Sequence, residues 1–346
     1  MQFQDLLHLY LQYKEENTME LFKETYIGNM KVKNHFIRSA TFEGKATEDG
    51  RPTEKIKDLY ESFAKADVGT IITSYSYISD YEQPNKNQLG IYKDELIEDY
   101  QKITETVHRY GSKIIMQIVH GSSNSQGYKD TAKVLGPSAI EHPTSKITPK
   151  EMTQEDINNV IKLFVEAGKR VKASGFDGVQ IHCAHGYLLA QFISPLFNHR
   201  TDNYGGSVEN RIRLVLEIYH AMRKELGDFP IWIKINSSDE EDNGLTNDDF
   251  IEMAKLLSYQ GIDAIEISGN KWNFHKLNER AYYKDVAMKL ADMIDTPIIL
   301  TGGLREMKDI LSIYRNSHVQ FFGFARPFVK DVHFIQLLNE QIGQYE

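Results

Sequence analysis

The chain has 346 residues and a formal net charge of -9. An acidic chain repels a polyanion, and no block of Lys and Arg could follow a phosphate backbone, which argues against nucleic acid as a partner. The 41% of hydrophobic and 11% of aromatic residues provide for a core and argue against disorder. The single cysteine, Cys183, excludes an internal disulfide and a four-cysteine iron–sulfur centre, and favours a reducing, cytoplasmic setting.

Residues 1–18 are expected to form a short amphipathic helix or an added arm, and residues 19–346 a single domain. Asp5 and His8 interrupt the apolar residues of the first segment, and no basic leader precedes them, so the segment is a poor signal peptide. No stretch approaches about 20 consecutive apolar residues, which argues against a membrane span. Neither a linker nor a change in composition divides the rest of the chain, and a homo-oligomer is left open.

Short β-branched or aromatic runs alternate with longer amphipathic segments, which is the pattern of a βαβα protein. The predicted strands, in chain order, are His35–Thr41, Val68–Ile78, Lys113–His120, Asp177–His182, Pro230–Asn236, Ala264–Ser268, Pro297–Thr301 and Val319–Phe324. The predicted helices include Thr53–Lys65 as the first, Thr153–Ala173, and Asp331–Ile342 as the last. Thr153 with Asp156, and Thr246 with Asp249, have the spacing of capping boxes. Eight parallel strands with intervening helices predict an α/β fold, the (β/α)8 TIM barrel, with a doubly wound open sheet as the alternative.

A long polar and aromatic connection, from Ile181 to Arg211, follows the predicted fourth strand. A loop of this length in a compact barrel is usually functional or disordered. His182 and His185 leave the strand three residues apart, and Tyr187 follows; two imidazoles could hold one carbonyl oxygen while the phenol supplies a proton. Structural side chains and first metal ligands are the alternatives, although a zinc site requires a third ligand, and the His-x-His of many metal-dependent barrel hydrolases is absent from the first strand.

The segment GFDGVQIHCAHGYLLAQFISPLFNHRTDNYGGSVENR, residues 175–211, resembles the signature of the old yellow enzyme family. That signature is His-x-x-His or His-x-x-Asn and Gly-Tyr, then Gln-Phe, Ser-Pro, Arg-x-Asp and Tyr-Gly-Gly-Ser-x-Glu-Asn-Arg. Further matches keep the family's order along the chain: RSATFEG at Arg38–Gly44, QIVHG at Gln117–Gly121, GGLRE at Gly302–Glu306 and ARPF at Ala325–Phe328. The resemblance covers nearly all of the chain beyond about 20 residues, and implies FMN as cofactor with NADH or NADPH as electron donor.

The resemblance implies FMN contacts at the strand ends and substrate contacts on the long loop. Small side chains at Ser39, Ala40 and Thr41 let the backbone approach a flat ring. Tyr75 and its neighbours, at the end of the second strand, would allow the same approach, and Gln117 suits the pyrimidine edge of the flavin. Lys234 would stabilise the reduced flavin, and its place inside the apolar run PIWIKIN is a poor one for a surface lysine. Backbone N–H groups of Gly302, Gly303, Ala325 and Arg326 would bind phosphate. The resemblance assigns both catalysis and substrate binding to His182, His185 and Tyr187. No metal is expected.

The implied activity is NAD(P)H-dependent reduction of the activated C=C bond of α,β-unsaturated carbonyl compounds by ping-pong hydride transfer. A flavin dehydrogenase or quinone reductase of the same family is the main alternative; a metal-dependent barrel hydrolase and a non-catalytic binding module are two others. The chain departs from the family at two places. Phe42 occupies the position where many relatives have a Thr or Cys that tunes the flavin, and Ser122 and Ser123 replace part of a frequent His-x-Gly-Arg.

Overall fold

The computed structural model describes residues 20–125, 133–269 and 279–341. The predicted N-terminal arm, residues 1–18, lies outside the described residues, as does Ile342 at the end of the predicted last helix. The strands are β1 (Thr25–Ile27), β2 (Met30–Val32), β3 (Phe36–Arg38), β4 (Thr70–Ile72), β5 (Ser76–Tyr77), β6 (Lys113–Val119), β7 (Leu135–Gly136), β8 (Lys150–Glu151), β9 (Gly178–Cys183), β10 (Ile231–Asn236), β11 (Ala264–Ser268), β12 (Ile298–Thr301) and β13 (Phe321–Phe324). The helices are α1 (Glu54–Lys65), α2 (Ile97–His108), α3 (Gln154–Ala173), α4 (Leu188–Ile193), α5 (Val208–Leu226), α6 (Asn247–Tyr259), α7 (Lys284–Ala291), α8 (Met307–Asn316), α9 (Arg326–Lys330) and α10 (Phe334–Glu340).

Eight parallel strands close into a barrel, which confirms the predicted TIM fold. Starting from β3, the ring continues through β4, β6 and β9 to β13, and the pairing of β13 with β3 closes it. Helices lie between successive strands, and the main apolar core packs the helices against the outside of the barrel, for example Phe164 of α3 and Ile218 of α5 together with Val179 of β9. The strands are buried on both faces, as expected of an all-parallel sheet.

The predicted second strand, Val68–Ile78, is the one that the structure divides. Pairing stops after Ile72 and resumes at Ser76, which lies opposite Ile118 of β6. In the gap the N–H of Ser74 donates to the Tyr60 hydroxyl at 3.0 Å instead of to a neighbouring strand. The interruption lies at the carboxyl end of β4, where a barrel places its functional residues.

Local start signals for the helices are confirmed at two predicted positions. Thr153 and Thr246 each form a complete capping box with the aspartate three residues later. Thr53 is the N-cap residue of α1 rather than its first helical residue. A cap satisfies backbone N–H groups that the helix itself leaves unpaired, so these sites fix where the helices begin.

The β1–β2 hairpin was not predicted, and it closes the amino-terminal end of the barrel. Its residues Ile27, Met30 and Val32 join an apolar cluster with Trp232 and Phe321 from the starts of β10 and β13. This end is therefore filled with side chains, and the opposite end carries the cavity described below. Among the described residues, no helix is long and apolar enough to cross a bilayer.

Candidate active site

A cavity of about 620 Å³ opens at the carboxyl ends of the barrel strands. Its volume falls within the range of about 300–1,000 Å³ that is typical of cofactor and ligand sites. The predicted site residues that line it are Ala40, Thr41, Tyr75, Gln117, His185, Tyr187, Gly302, Ala325 and Arg326. Ser39, His182, Lys234 and Gly303 do not line it. Ser39, His182 and Gly303 are each next, in sequence or in space, to a residue that does, and Lys234 donates a hydrogen bond to Ser39. The predicted residues that line the cavity come from the ends of six strands, and Ser268, at the end of β11, adds a seventh.

The exit of β9 places three predicted catalytic residues side by side. The ring of His182 lies 5.1 Å from that of His185 and 5.3 Å from that of Tyr187, between centroids. His185 has a φ of 59°, a left-handed conformation that turns the chain sharply before α4. Its backbone N–H donates to Asn236 Oδ1 at 3.2 Å, and its Nε2 is 2.8 Å from Ser268 Oγ. The turn is thus held by the ends of β10 and β11.

His182 is only 1% exposed, and neither of its ring nitrogens has a hydrogen-bond partner among the described residues. Leaving a buried polar group without a partner costs free energy, so an orphaned imidazole beside a cavity indicates a place for a ligand atom. The rings of Tyr75 and Tyr187 cover His182 on the cavity side, at 5.9 and 5.3 Å between centroids.

Burial and a nearby cation keep both imidazoles uncharged. Desolvation lowers the pKa of His182 well below its ordinary value, and the neighbouring His185 and the cation of Lys234 lower it further. Desolvation, together with the charge of Lys234, lowers the pKa of His185 to about 3. Neutral imidazoles can each donate one hydrogen bond without adding positive charge to the site.

Beneath the cavity, Lys234 lies in a buried polar network. Its Nζ is 3.1 Å from Glu266 Oε1 and donates to Ser39 Oγ at 2.9 Å. Ser39 and Thr301 also donate to Glu266 Oε1, and Gln180 donates to its Oε2 at 2.8 Å. Lys234 is 3% exposed, in agreement with its place inside an apolar run of the sequence. Ser39 enters the site through its side chain in this network, not only through its backbone.

The Gly302–Gly303 turn after β12 packs against an aromatic residue that the sequence analysis missed. Both glycines have positive φ, 133° and 71°, and a Cβ at either position would come within 2.5–2.8 Å of the Tyr282 ring. The Tyr282 hydroxyl accepts a hydrogen bond from Arg326 Nη2 at 2.7 Å, so Tyr282 links this turn to the start of α9. The glycines are needed for close packing as well as for backbone approach.

Other residues of the long loop brace it rather than line the cavity. Arg211 donates to the carbonyl of Ile193 at 2.6 Å and pairs with Asp249 of α6. Asn198 donates to the carbonyls of Phe192 and Tyr204 at 2.6 and 2.7 Å. The connection after β9 is therefore ordered, and it contains the short helix α4.

Residues 20–344 match the model of the NADH:flavin oxidoreductase / NADH oxidase family. The chain belongs to this family. It is 33% identical over 326 residues to an NADPH dehydrogenase of Bacillus subtilis, covering 94% of this chain and 95% of that one. Among solved structures, an old yellow enzyme from Pichia sp. AKU4542 superposes with a TM-score of 0.78 at 25% identity over 93% of this chain and 86% of the other. A 2-naphthoyl-CoA reductase has a TM-score of 0.88 at 25% identity, over 93% of this chain and 52% of that one.

Membership in the old yellow enzyme family makes the protein an FMN-dependent NAD(P)H oxidoreductase, as the sequence predicted. The residues at the cavity fit FMN. Small side chains at Ala40 and Thr41 leave room for a flat ring, and Gln117 presents an amide to it. A glycine turn beside Arg326 offers N–H groups and a guanidinium, the donor set that phosphate requires.

Proposed function

We propose that this member of the old yellow enzyme family reduces the activated C=C bond of α,β-unsaturated carbonyl compounds. One observation carries the proposal: two neutral imidazoles, His182 and His185, lie beside Tyr187, and His185 and Tyr187 line the cavity. One of them, His182, has no hydrogen-bond partner among the described residues at either ring nitrogen. A polarised carbonyl oxygen is an acceptor that satisfies such donors, and an enone carries that oxygen conjugated to the reacting carbons.

His182 and His185 hold the carbonyl oxygen of the substrate. Nε2 of His185 is 2.8 Å from Ser268 Oγ, which leaves Nδ1 of His185 for the substrate. Since both rings are uncharged, each donates a single N–H, and the negative charge that develops on the oxygen is stabilised by hydrogen bonds.

Tyr187 holds the proton that the α-carbon receives. Its hydroxyl lies at the cavity next to Asn85 Nδ2, at 3.5 Å. Burial raises the pKa of Tyr187, so the phenol is protonated at neutral pH and ready to act as a general acid.

The cofactor would be held by the remaining predicted residues. Ser39, Ala40, Thr41, Tyr75, Gln117 and Lys234 would hold the ring, and Gly302, Gly303, Ala325 and Arg326 the phosphate. When bound, FMN would supply hydride transfer between NADH or NADPH and the β-carbon of the substrate, and nucleotide and substrate would use the site in turn. The uncharged rings of His182 and His185, together with the buried cation of Lys234, determine the charge around the flavin ring.

The test measures the two half-reactions separately by stopped-flow absorbance, first with NADH or NADPH and then with 2-cyclohexenone. His182→Ala is expected to slow reoxidation by the enone about 100- to 1000-fold, the usual cost of losing one oxyanion donor, and to change reduction by the nucleotide little. His185→Ala should act in the same direction. His199→Ala is the control, because His199 is exposed and does not line the cavity.

Equal slowing of both half-reactions by His182→Ala would contradict the assigned role. A quinone tested in parallel separates the family alternatives, since rapid turnover of quinone with none of the enone would replace this proposal with a quinone reductase.

A further inference from the structure

A buried carboxylate, Glu266, is the common partner of the polar side chains beneath the cavity. Glu266, in the middle of β11, is 0% exposed, and each of its partners among the described residues donates to it. Three of them, Lys234, Ser39 and Thr301, meet at Oε1, and Gln180 Nε2 alone meets Oε2, at 2.8 Å. Burial by itself would raise the pKa of Glu266, but the charge of Lys234 and the hydrogen bonds from Ser39, Thr301 and Gln180 lower it instead. The group is therefore ionised at neutral pH.

The donors and acceptors around Glu266 fix the orientation of two amides in series. An ionised carboxylate only accepts hydrogen bonds, so Gln180 must present its NH2 group to Oε2 of Glu266. The carbonyl of Gln180 then faces Gln117, and Gln117 must in turn donate: its Nε2 is 2.6 Å from Gln180 Oε1. The direction of these two hydrogen bonds, from Gln117 to Gln180 and from Gln180 to Glu266, therefore follows from the chemistry of the carboxylate.

The last member of the series lines the cavity. With Nε2 of Gln117 engaged, its carbonyl oxygen accepts no hydrogen bond from the described residues. A ligand that covers Gln117 must supply an N–H at this place to satisfy that oxygen. The pyrimidine edge of a flavin carries one N–H, at the imide nitrogen between its two carbonyl groups.

We propose that Glu266 is a positioning residue that fixes, through Gln180, which end of the Gln117 amide faces the cavity, and that the site thereby selects a flavin with an unsubstituted imide N–H. The inference rests on the binding of FMN in this cavity and on the contact of Gln117 with its pyrimidine edge. It does not depend on the reduction of enones.

Glu266→Gln reverses the orientation of both amides, Gln180 and Gln117. In the variant the amide carbonyl must face Lys234, because a cation cannot accept a hydrogen bond, and the new NH2 group therefore faces Gln180. Gln180 turns its carbonyl toward this group and its NH2 toward Gln117, and Gln117 turns its own NH2 toward the cavity. The NH2 group of Gln117 then faces the imide N–H of the flavin, so that two donors meet. In the native protein the carbonyl of Gln117 would accept from this N–H.

In the experiment, the holoenzyme is incubated with an excess of an equimolar mixture of FMN and 3-methyl-FMN, so that the bound flavin exchanges. The ratio of the two flavins bound to the protein is then measured by chromatography after denaturation. The native protein is expected to prefer FMN by about tenfold or more, the effect of one hydrogen bond to a buried acceptor that would otherwise be left without a partner. Glu266→Gln is expected to bring this preference close to unity. Gln180→Leu, which keeps the Lys234–Glu266 pair, should reduce it as well.

Asp177→Asn is the matched control. Asp177 is a partly buried carboxylate that precedes β9 at the opposite end of the barrel, and it accepts from Lys113 and His108, each at 2.7 Å. Its replacement should lower stability and leave the preference for FMN intact. The proposal is overturned if the native protein binds both flavins equally, or if Gln180→Leu and Glu266→Gln keep the native ratio. An enzyme that shows the ratio but does not reduce enones would contradict only the proposed function.

Discussion

The hydroxyl groups of Tyr75 and Tyr187 meet at the side-chain amide of Asn85. Asn85 Nδ2 is 3.2 Å from the Tyr75 hydroxyl and 3.5 Å from that of Tyr187, and the two rings are 5.4 Å apart between centroids. Burial raises the pKa of Tyr187, whereas hydrogen bonds from Tyr75 and Asn85 lower it. Tyr75 thus makes Tyr187 more acidic than burial alone would, and it also holds the phenol in place.

Tyr75→Phe is therefore expected to slow reoxidation by an enone about three- to tenfold, the worth of one ordinary hydrogen bond. Reduction by NADH or NADPH should change less, because that half-reaction needs no proton from Tyr187. Stopped-flow measurement of the two half-reactions checks this. Tyr77→Phe is the control, since Tyr77 stacks on Tyr92 away from the cavity; the same slowing there would contradict the role of Tyr75.

The order of strands and helices could be predicted because burial on both faces of a parallel strand leaves an apolar run that is readable in the sequence. Each of the eight predicted strands overlaps a barrel strand, and β9 extends one residue past its prediction, to Cys183. The break after Ile72 was not predicted, since it depends on the hydroxyl of Tyr60, which comes from another element. The β1–β2 hairpin was missed because its strands have only three residues each.

Site residues carried by the family motifs could be predicted, but their partners could not. Lys234 stood out as a charge within an apolar strand, and Glu266, within AIEIS, gives the same signal and was not used. The two residues are directly opposite each other on β10 and β11. Tyr282 carried no signal of this kind, because its contact with Arg326 joins segments that are 44 residues apart.

Tyr282→Phe is expected to weaken FMN about three- to tenfold and to leave riboflavin binding nearly unchanged. The reason is that the Tyr282 hydroxyl accepts from Arg326 Nη2 and so holds the guanidinium beside the Gly302–Gly303 turn, where phosphate would bind. Fluorescence titration of the flavin-stripped protein with FMN and with riboflavin measures the difference.

Tyr219→Phe serves as the control for this experiment. Tyr219 is a buried tyrosine of α5 whose hydroxyl donates to the carbonyl of Gln260, far from the cavity. If Tyr282→Phe weakened both flavins by the same factor, the hydroxyl would have no specific link to the phosphate.

Phe42→Ala is expected to widen the range of substrates. Phe42 lines the cavity, is 40% exposed, and stacks on Tyr75 at 5.8 Å between centroids. Its removal leaves open space at the mouth rather than a buried void, so the melting temperature should fall little. The ratio of kcat/KM for an enone with a bulky ring substituent to that for 2-cyclohexenone should rise several-fold. An unchanged ratio would place the limiting contact elsewhere.

Acid is expected to destabilise the protein at pH values above those at which its carboxylates are protonated. Burial lowers the pKa of His120 and, together with the charge of Lys234, that of His185, each to about 3, and the pKa of His182 is also lowered. An unfolded chain binds protons at these residues below about pH 6.5, whereas the folded chain does not. The free energy of unfolding therefore falls as the pH drops from about 6.5 toward 3, by about 1.4 kcal/mol per pH unit for each such histidine.

His120→Asn isolates one of these contributions. At pH 5 the native protein loses about 2 kcal/mol through His120 relative to pH 7.5, and the variant should not, so the difference between its stabilities at the two pH values is smaller by that amount. Urea unfolding at saturating FMN measures both. His318→Asn, at a side chain that is 78% exposed, should leave the difference unchanged. Equal pH dependence in the native protein and His120→Asn would mean that His120 takes up a proton in the folded state, with Glu82 beside its Nδ1 as the group that accommodates the charge.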